Sequence, residues 1–167
     1  MDRLNLIVLA GVMALGGGCG KKSDGGGAAA EEPAPFEYVS HKVERLQVVA
    51  PNQTYIDQGL GVSAPEGHVF VCVQYAVTNR GTEASYPELA QLRDAKGALH
   101  EPSVQAAGSY QPPDWTEHVS GKLEPGATSQ ETACYDTPTD AAEGSLALVI
   151  EKQPWGKHKG WKVELPL

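Results

Sequence analysis

Five histidines (His41, His68, His100, His118 and His158) and three cysteines (Cys19, Cys72 and Cys134) carry most of the chain's capacity for acid–base, nucleophilic or metal chemistry. Their spacing does not gather that capacity. The histidines fall in separate segments, mostly at turns or strand ends, where exposed polar rings are the plainer reading. No Cys-x-x-Cys pair or nearby histidine supports a zinc site. There is no Gly-x-Ser-x-Gly elbow, no His-Glu-x-x-His and no phosphate loop. Asp136, Asp140 and Glu143 share one loop and could offer oxygen ligands to calcium. Without a recognisable ligand spacing, a solvated acidic loop is preferred. Gly59-Leu-Gly61 imitates part of a dinucleotide fingerprint, but Pro65 follows where a helix should open. Neither catalysis nor a cofactor or metal is expected.

Two stretches are better suited to contact than to chemistry. In Tyr110-Gln-Pro-Pro-Asp-Trp115, prolines stiffen a segment carrying Tyr110 and Trp115, residue types enriched at interface hot spots. The plainer reading is a loop folded back over the edge of the domain. The second stretch, Lys152 to Trp161, contains Trp155, Lys157 and Lys159 and is basic and aromatic within an acidic protein. It could meet anionic lipid, a glycan or an acidic partner face; the plainer reading is a solubilising loop with Trp161 in the core. A formal charge of −8 leaves no basic face for phosphate, so nucleic acid is not an expected partner.

The elements that must position these residues are strands. Gly67 to Gly81 is the longest apolar, β-branched and aromatic run outside the N-terminal segment. Val69, Val71, Val73, Tyr75 and Val77 alternate with Phe70, Cys72, Gln74, Ala76 and Thr78, which predicts a strand with one face on a core. Asn79-Arg-Gly81 is expected to end it with residues that tolerate positive φ. Upstream, Tyr38 to Ala50 reads as a first strand interrupted near Ser40-His41, then a turn over Pro51–Thr54 and a short strand or ordered loop over Tyr55–Gly61. Downstream, Glu88–Asp94 and Ala98–His100 flank a hairpin turn at Ala95–Gly97, and Ala107–His118 reads as loop. Glu124-Pro-Gly-Ala127 has the residues of a type II turn. Gln130–Tyr135, Leu146–Glu151 and Trp161–Leu165 are further strands. No segment shows 3.6-residue periodicity over about ten residues, and some seven or eight short strands predict an all-β sandwich.

The N-terminus reads as an address. Arg3 precedes an apolar run from Leu4 to Leu15, too short to span the roughly 30 Å of a bilayer core but suited to a signal peptide. Gly16-Gly17-Gly18 then precedes Cys19, and this arrangement resembles a bacterial lipoprotein signal, with Gly16 standing where that family usually carries an apolar residue. The resemblance implies that residues 1–18 are removed and that Cys19 is lipidated. Gly20, in place of an inner-membrane-retaining Asp, implies an outer-membrane destination. Residues 19–37, rich in Gly, Ala and Pro, read as a flexible tether, because too little apolar surface is present to offset ordering entropy. Residues 38–167 leave room for one domain of ordinary size.

The order of motifs also carries a family likeness. Glu66-Gly67 and the Val-rich strand ending Thr78-Asn-Arg-Gly81 are followed by Leu92-Arg-Asp-Ala-Lys-Gly97, Gly121-Lys-Leu-Glu-Pro-Gly126 and Ala133-Cys-Tyr-Asp-Thr-Pro138. From about Val43 to Leu165 this resembles the telokin-like, immunoglobulin-like domain of many bacterial lipoproteins and secreted proteins, a family of largely unknown function. The resemblance implies an immunoglobulin-like sandwich in which the strands bearing Cys72 and Cys134 are neighbours in one sheet. With Cys19 assigned to lipid, it implies a Cys72–Cys134 disulfide, worth roughly 3–4 kcal/mol by chain entropy. Two isolated thiols or a metal site are the alternatives. The resulting expectation is a lipid-anchored envelope module, attached to the membrane through its lipid and binding an envelope protein or glycan. A structural accessory subunit is the alternative class; a secreted enzyme or metal-binding protein is the least favoured.

Overall fold

A computed structural model describes residues 33–112, 121–153 and 159–167. Two antiparallel sheets lie face to face. The first has the order β1-β4-β7, built from β1 (Phe36–Leu46), β4 (His68–Asn79) and β7 (Thr128–Pro138). The second has the order β6-β5-β8-β9, built from β5 (Ala90–Arg93), β6 (Leu99–His100), β8 (Ala147–Lys152) and β9 (Trp161–Pro166). A small ribbon pairs β2 (Val48–Val49) with β3 (Val62–Ser63). Three short helices complete the described chain: α1 (Gln53–Asp57), α2 (Val104–Ser109) and α3 (Thr139–Ala142).

The core follows the alternation of β4. Val71, Val73, Tyr75 and Tyr135 from the first sheet meet Leu92, Leu148, Ile150 and Trp161 from the second. Across this core the Tyr135 hydroxyl donates to the Ala90 carbonyl at 2.8 Å, tying β7 to β5. β1 changes parity halfway. Its register shifts between Ser40 and Lys42, so His41 is an extra residue and the strand is bulged there, where the sequence reads as interrupted. The bulge allows Phe36 and Tyr38 before it, and Val43 after it, to face the same core.

The other face of β4 departs from expectation. Phe70, Cys72 and Gln74 are buried as thoroughly as Val71 and Val73. A second small cluster of Val49, Phe70, Cys72, Ala106, Tyr110 and Cys134 covers that face, contributed by β2, α2 and the residue after α2. In it, Cys72 stands directly opposite Cys134 with Cα atoms 4.0 Å apart, and the two are bonded.

The end of β4 works differently from the sequence expectation. Neither Asn79 nor Arg80 adopts positive φ, and Gly81 does not need it. Asn79 is instead fully buried: its side-chain amide donates to the carbonyls of Glu83 (2.9 Å) and Leu123 (2.7 Å), and its Oδ1 accepts from the Gly81 amide at 2.8 Å. Three satisfied bonds, rather than left-handed backbone, turn the chain. The type II turn is as the sequence indicates, with Gly126 at φ 81° and the Ala127 amide donating to the Glu124 carbonyl at 2.9 Å.

The helix α1 begins at Gln53, inside the expected turn, and runs through Tyr55 to Asp57, where the sequence reads as a short strand or ordered loop; residues 58–61 follow it as cap and turn. Asn52 Oδ1 accepts from the Tyr55 amide at 3.2 Å. Gly59, at φ 69°, closes the helix as its amide donates to Ile56 and that of Leu60 to Tyr55. Ser103 starts α2 similarly, accepting from the Ala106 amide at 3.3 Å, and the helix runs to Ser109, into the stretch from Ala107 read as loop.

Replacing both Cys72 and Cys134 with Ala should lower unfolding free energy by about 4 kcal/mol, because the bond closes a 62-residue separation. Urea denaturation followed by circular dichroism reads this directly. A loss under about 1 kcal/mol would assign the stability of this region to packing rather than to the cross-link.

Candidate functional site

The outer cover over the first sheet is incomplete. It seals β4 and β7 but leaves part of β1 open, and the gap is a groove of about 330 Å³. Lys42, Glu44 and Leu46 form its floor; they lie opposite Gln74, Cys72 and Phe70, on the same outer face as the disulfide. Val48, Val49 and Ala50 with Pro51, Asn52, Gln53 and Ile56 make one wall. Tyr110, Gln111 and Pro112 make the other.

A polar chain runs from the sheet into this groove. Gln74 Nε2 donates to the Tyr110 hydroxyl at 2.9 Å, and that hydroxyl donates to Glu44 Oε2. The other Glu44 oxygen takes the Lys42 ammonium at 2.8 Å. Burial pushes the Glu44 carboxyl up, but hydrogen bonds from Lys42 and Tyr110, with the Lys42 charge, hold it below its ordinary value. Tyr110 moves the opposite way, pushed up to about 12 by burial and by donating to a carboxylate. Glu44 is thus held as an anion and Tyr110 as a neutral donor.

The sequence-expected contact residues separate on inspection. Tyr110 is not displayed to solvent; at 8% exposure its ring packs in the outer cluster and its hydroxyl faces Glu44. The helix α2 immediately before it draws the ring inward, a step that the loop reading omitted. Lys159 is exposed just before β9, while Trp161 is buried in the core. Trp115, Trp155, Lys157 and Cys19 lie outside the described residues, as do His118 and His158.

The remaining titratable groups form separate pairs. Asp136 meets His68 Nδ1 at 2.6 Å and Asp140 meets Lys96 Nζ at 2.5 Å; the first lies in β7 and the second in α3, so the stretch read as one acidic loop is a strand end and a helix whose two carboxylates already have partners. Among the described residues no three His, Cys, Asp or Glu side chains gather as metal ligands. His100 Nε2 lies 2.8 Å from Asp94 Oδ2 in the β5–β6 hairpin. Asp94 Oδ1 also accepts from the amides of Lys96 (2.8 Å) and Ala98 (2.9 Å), which fixes the turn at Gly97.

Two packed antiparallel sheets with short helices at their margins define an all-β sandwich. No family model and no curated protein matches the chain. Among solved structures it is similar to a conserved hypothetical protein from Bacillus anthracis, with TM-score 0.56 and 19% identity over 70% of this chain and 82% of that one. This likeness supports the fold alone. An uncharacterized beta-sandwich protein from Clostridium difficile 630 aligns with TM-score 0.42 and 12% identity, over 80% of this chain and 87% of that one.

Asp94 makes the hairpin pH-sensitive. Burial pushes its carboxyl up, but the His100 hydrogen bond, the two backbone amides and the His100 charge outweigh this and hold it below its ordinary value. A depressed carboxylate contributes stability at pH values above its ordinary value of about 4, and the contribution is lost as pH falls through the folded value. Asp94→Asn should therefore cost about 1–2 kcal/mol at pH 7 and show a shallower loss below about pH 4 than wild type. Urea midpoints measured from pH 7 to pH 2 test both parts; parallel curves would remove Asp94 from the acid response.

Proposed function

We propose that this chain is a lipid-anchored module of the cell envelope, carrying an immunoglobulin-like domain of the telokin-like kind, which acts by binding a protein or glycan rather than by catalysis. The observation that supports this reading is how its three cysteines divide. Cys72 and Cys134 are joined across β4 and β7 on the covered outer face of the first sheet, an arrangement suited to an oxidising compartment. Cys19 remains, directly behind an apolar run and three glycines, where a lipoprotein signal presents its acceptor thiol. Residues 20–32, without a large apolar side chain, would then serve as the tether to the sandwich. The outer-membrane destination follows from Gly20 by the same resemblance.

Intact mass of the membrane-extracted protein, before and after reduction and alkylation, tests the reading. The expected result is a chain beginning at Cys19, carrying two or three acyl groups and one reducible bond. Cys19→Ser should move the protein from the membrane pellet to the soluble envelope fraction. An unlipidated wild-type chain cleaved elsewhere would point to a freely secreted domain and overturn the anchor.

A further inference from the structure

The groove over β1 combines features that select one kind of occupant. Its volume, about 330 Å³, suits a few amino-acid side chains rather than a folded partner. Its apolar surface comes from Leu46, Val48, Ile56 and Pro112, all aliphatic. Among the described residues the one aromatic on the lining, Tyr110, is packed inward and offers no open ring face for a sugar to stack on. Among the described lining residues the charges are a single carboxylate and a single ammonium, which argues against a phosphate or polyanion.

Those two charges are not equivalent. Glu44 is 29% exposed and held from below by Tyr110, which Gln74 in turn holds. Lys42 is 54% exposed, and among the described residues its ammonium is held over the floor by the ion pair with Glu44. An exposed ion pair contributes little and exchanges readily. An incoming guanidinium could use the same carboxylate with two parallel hydrogen bonds, while Lys42 swings into solvent. The chain's net charge of −8 draws cations toward it.

We propose that this groove binds an extended peptide segment presenting an arginine between aliphatic residues, the guanidinium on Glu44 and the aliphatic side chains against Leu46, Val48 and Ile56. This deepens the binding-module reading and rests on it only for the identity of the partner as a protein. Tyr110 is a positioning residue that keeps the Glu44 carboxylate fixed and ionised.

The test is a ligand-observed NMR titration of the full chain, purified in detergent, with the capped tripeptide acetyl-Leu-Arg-Leu-amide and its charge-reversed control acetyl-Leu-Glu-Leu-amide. Saturable binding is expected for the arginine peptide, at least tenfold tighter than for the control. Glu44→Gln should weaken it about tenfold, Tyr110→Phe less, and Lys42→Ala should strengthen it, because a competing cation is removed. Thermal unfolding of each variant separates lost binding from lost folding. Lys42→Ala keeps every bond between Glu44 and the protein interior, so it remains informative if the other two unfold. Failure of the arginine peptide to saturate, equal binding of the two peptides, or an unchanged affinity in a folded Glu44→Gln variant would each overturn the proposal. Self-association of the free chain through these residues would make a second copy the occupant and overturn it as well. Binding by an unlipidated chain would overturn the anchor and leave the groove; a lipidated chain that fails to bind would do the reverse.

Discussion

The structure depends on one constraint: β4 is hydrogen-bonded on both sides and buried on both faces. Its partners β1 and β7 run antiparallel beside it, and from Val69 to Tyr75 no residue reaches solvent freely. Such a strand cannot slip. A shift of one residue would move Val71 and Val73 out of the main core and bring Cys72 and Gln74 into it. The Cys72–Cys134 bond fixes the β4–β7 register covalently, within the outer cluster that α2 and β2 help to cover. Gln74 is tolerated in the same layer because Tyr110 accepts from its amide.

A strand with two buried faces needs two sources of cover, and they differ in quality. The second sheet supplies a continuous apolar layer, closed by the Tyr135–Ala90 hydrogen bond. The outer cover is pieced together from a two-residue strand, a six-residue helix and the residue that follows it. The disulfide adds a covalent link within the same layer. The same patchwork explains the groove. Helix α1 and residues 110–112 approach β1 from two sides without meeting, and the floor between them keeps charged side chains because water still reaches it.

The legible part of this fold was the part written in local alternation. Val69 to Val77 read as a strand because five apolar residues repeat at period two. The interruption at Ser40-His41, the Ala95–Gly97 hairpin and the Pro125-Gly126 turn were each announced by their own residues. The helices were not, since five or six residues are too few to display a 3.6 period. Their caps were the available signal: Asn52 and Ser103 before them, and Gly59 after the first, a glycine that instead invited comparison with a nucleotide loop. The groove was beyond local reading. Glu44 and Tyr110 are 66 residues apart, and nothing near either residue specifies the other. Tyr110 was singled out for being aromatic among prolines, whereas its place in the site comes from the hydroxyl and from α2 turning it inward.

The bulge at His41 links the core to the groove. Without an extra residue, the parity that sends Phe36 and Tyr38 into the core would send Lys42 and Glu44 after them, where an ion pair would face the aromatic cluster around Trp161. Such burial is expensive for charges that lack further partners. The extra residue rotates the second half of β1, so Val43 fills the core and the charged pair emerges on the outer face. The described chain enters β1 at Phe36, and Glu44 lies eight residues further along, roughly 26 Å at the rise of an extended strand. The groove therefore lies toward the far end of β1 from the point where the described chain enters it, and a single inserted residue determines which side of the sheet carries it.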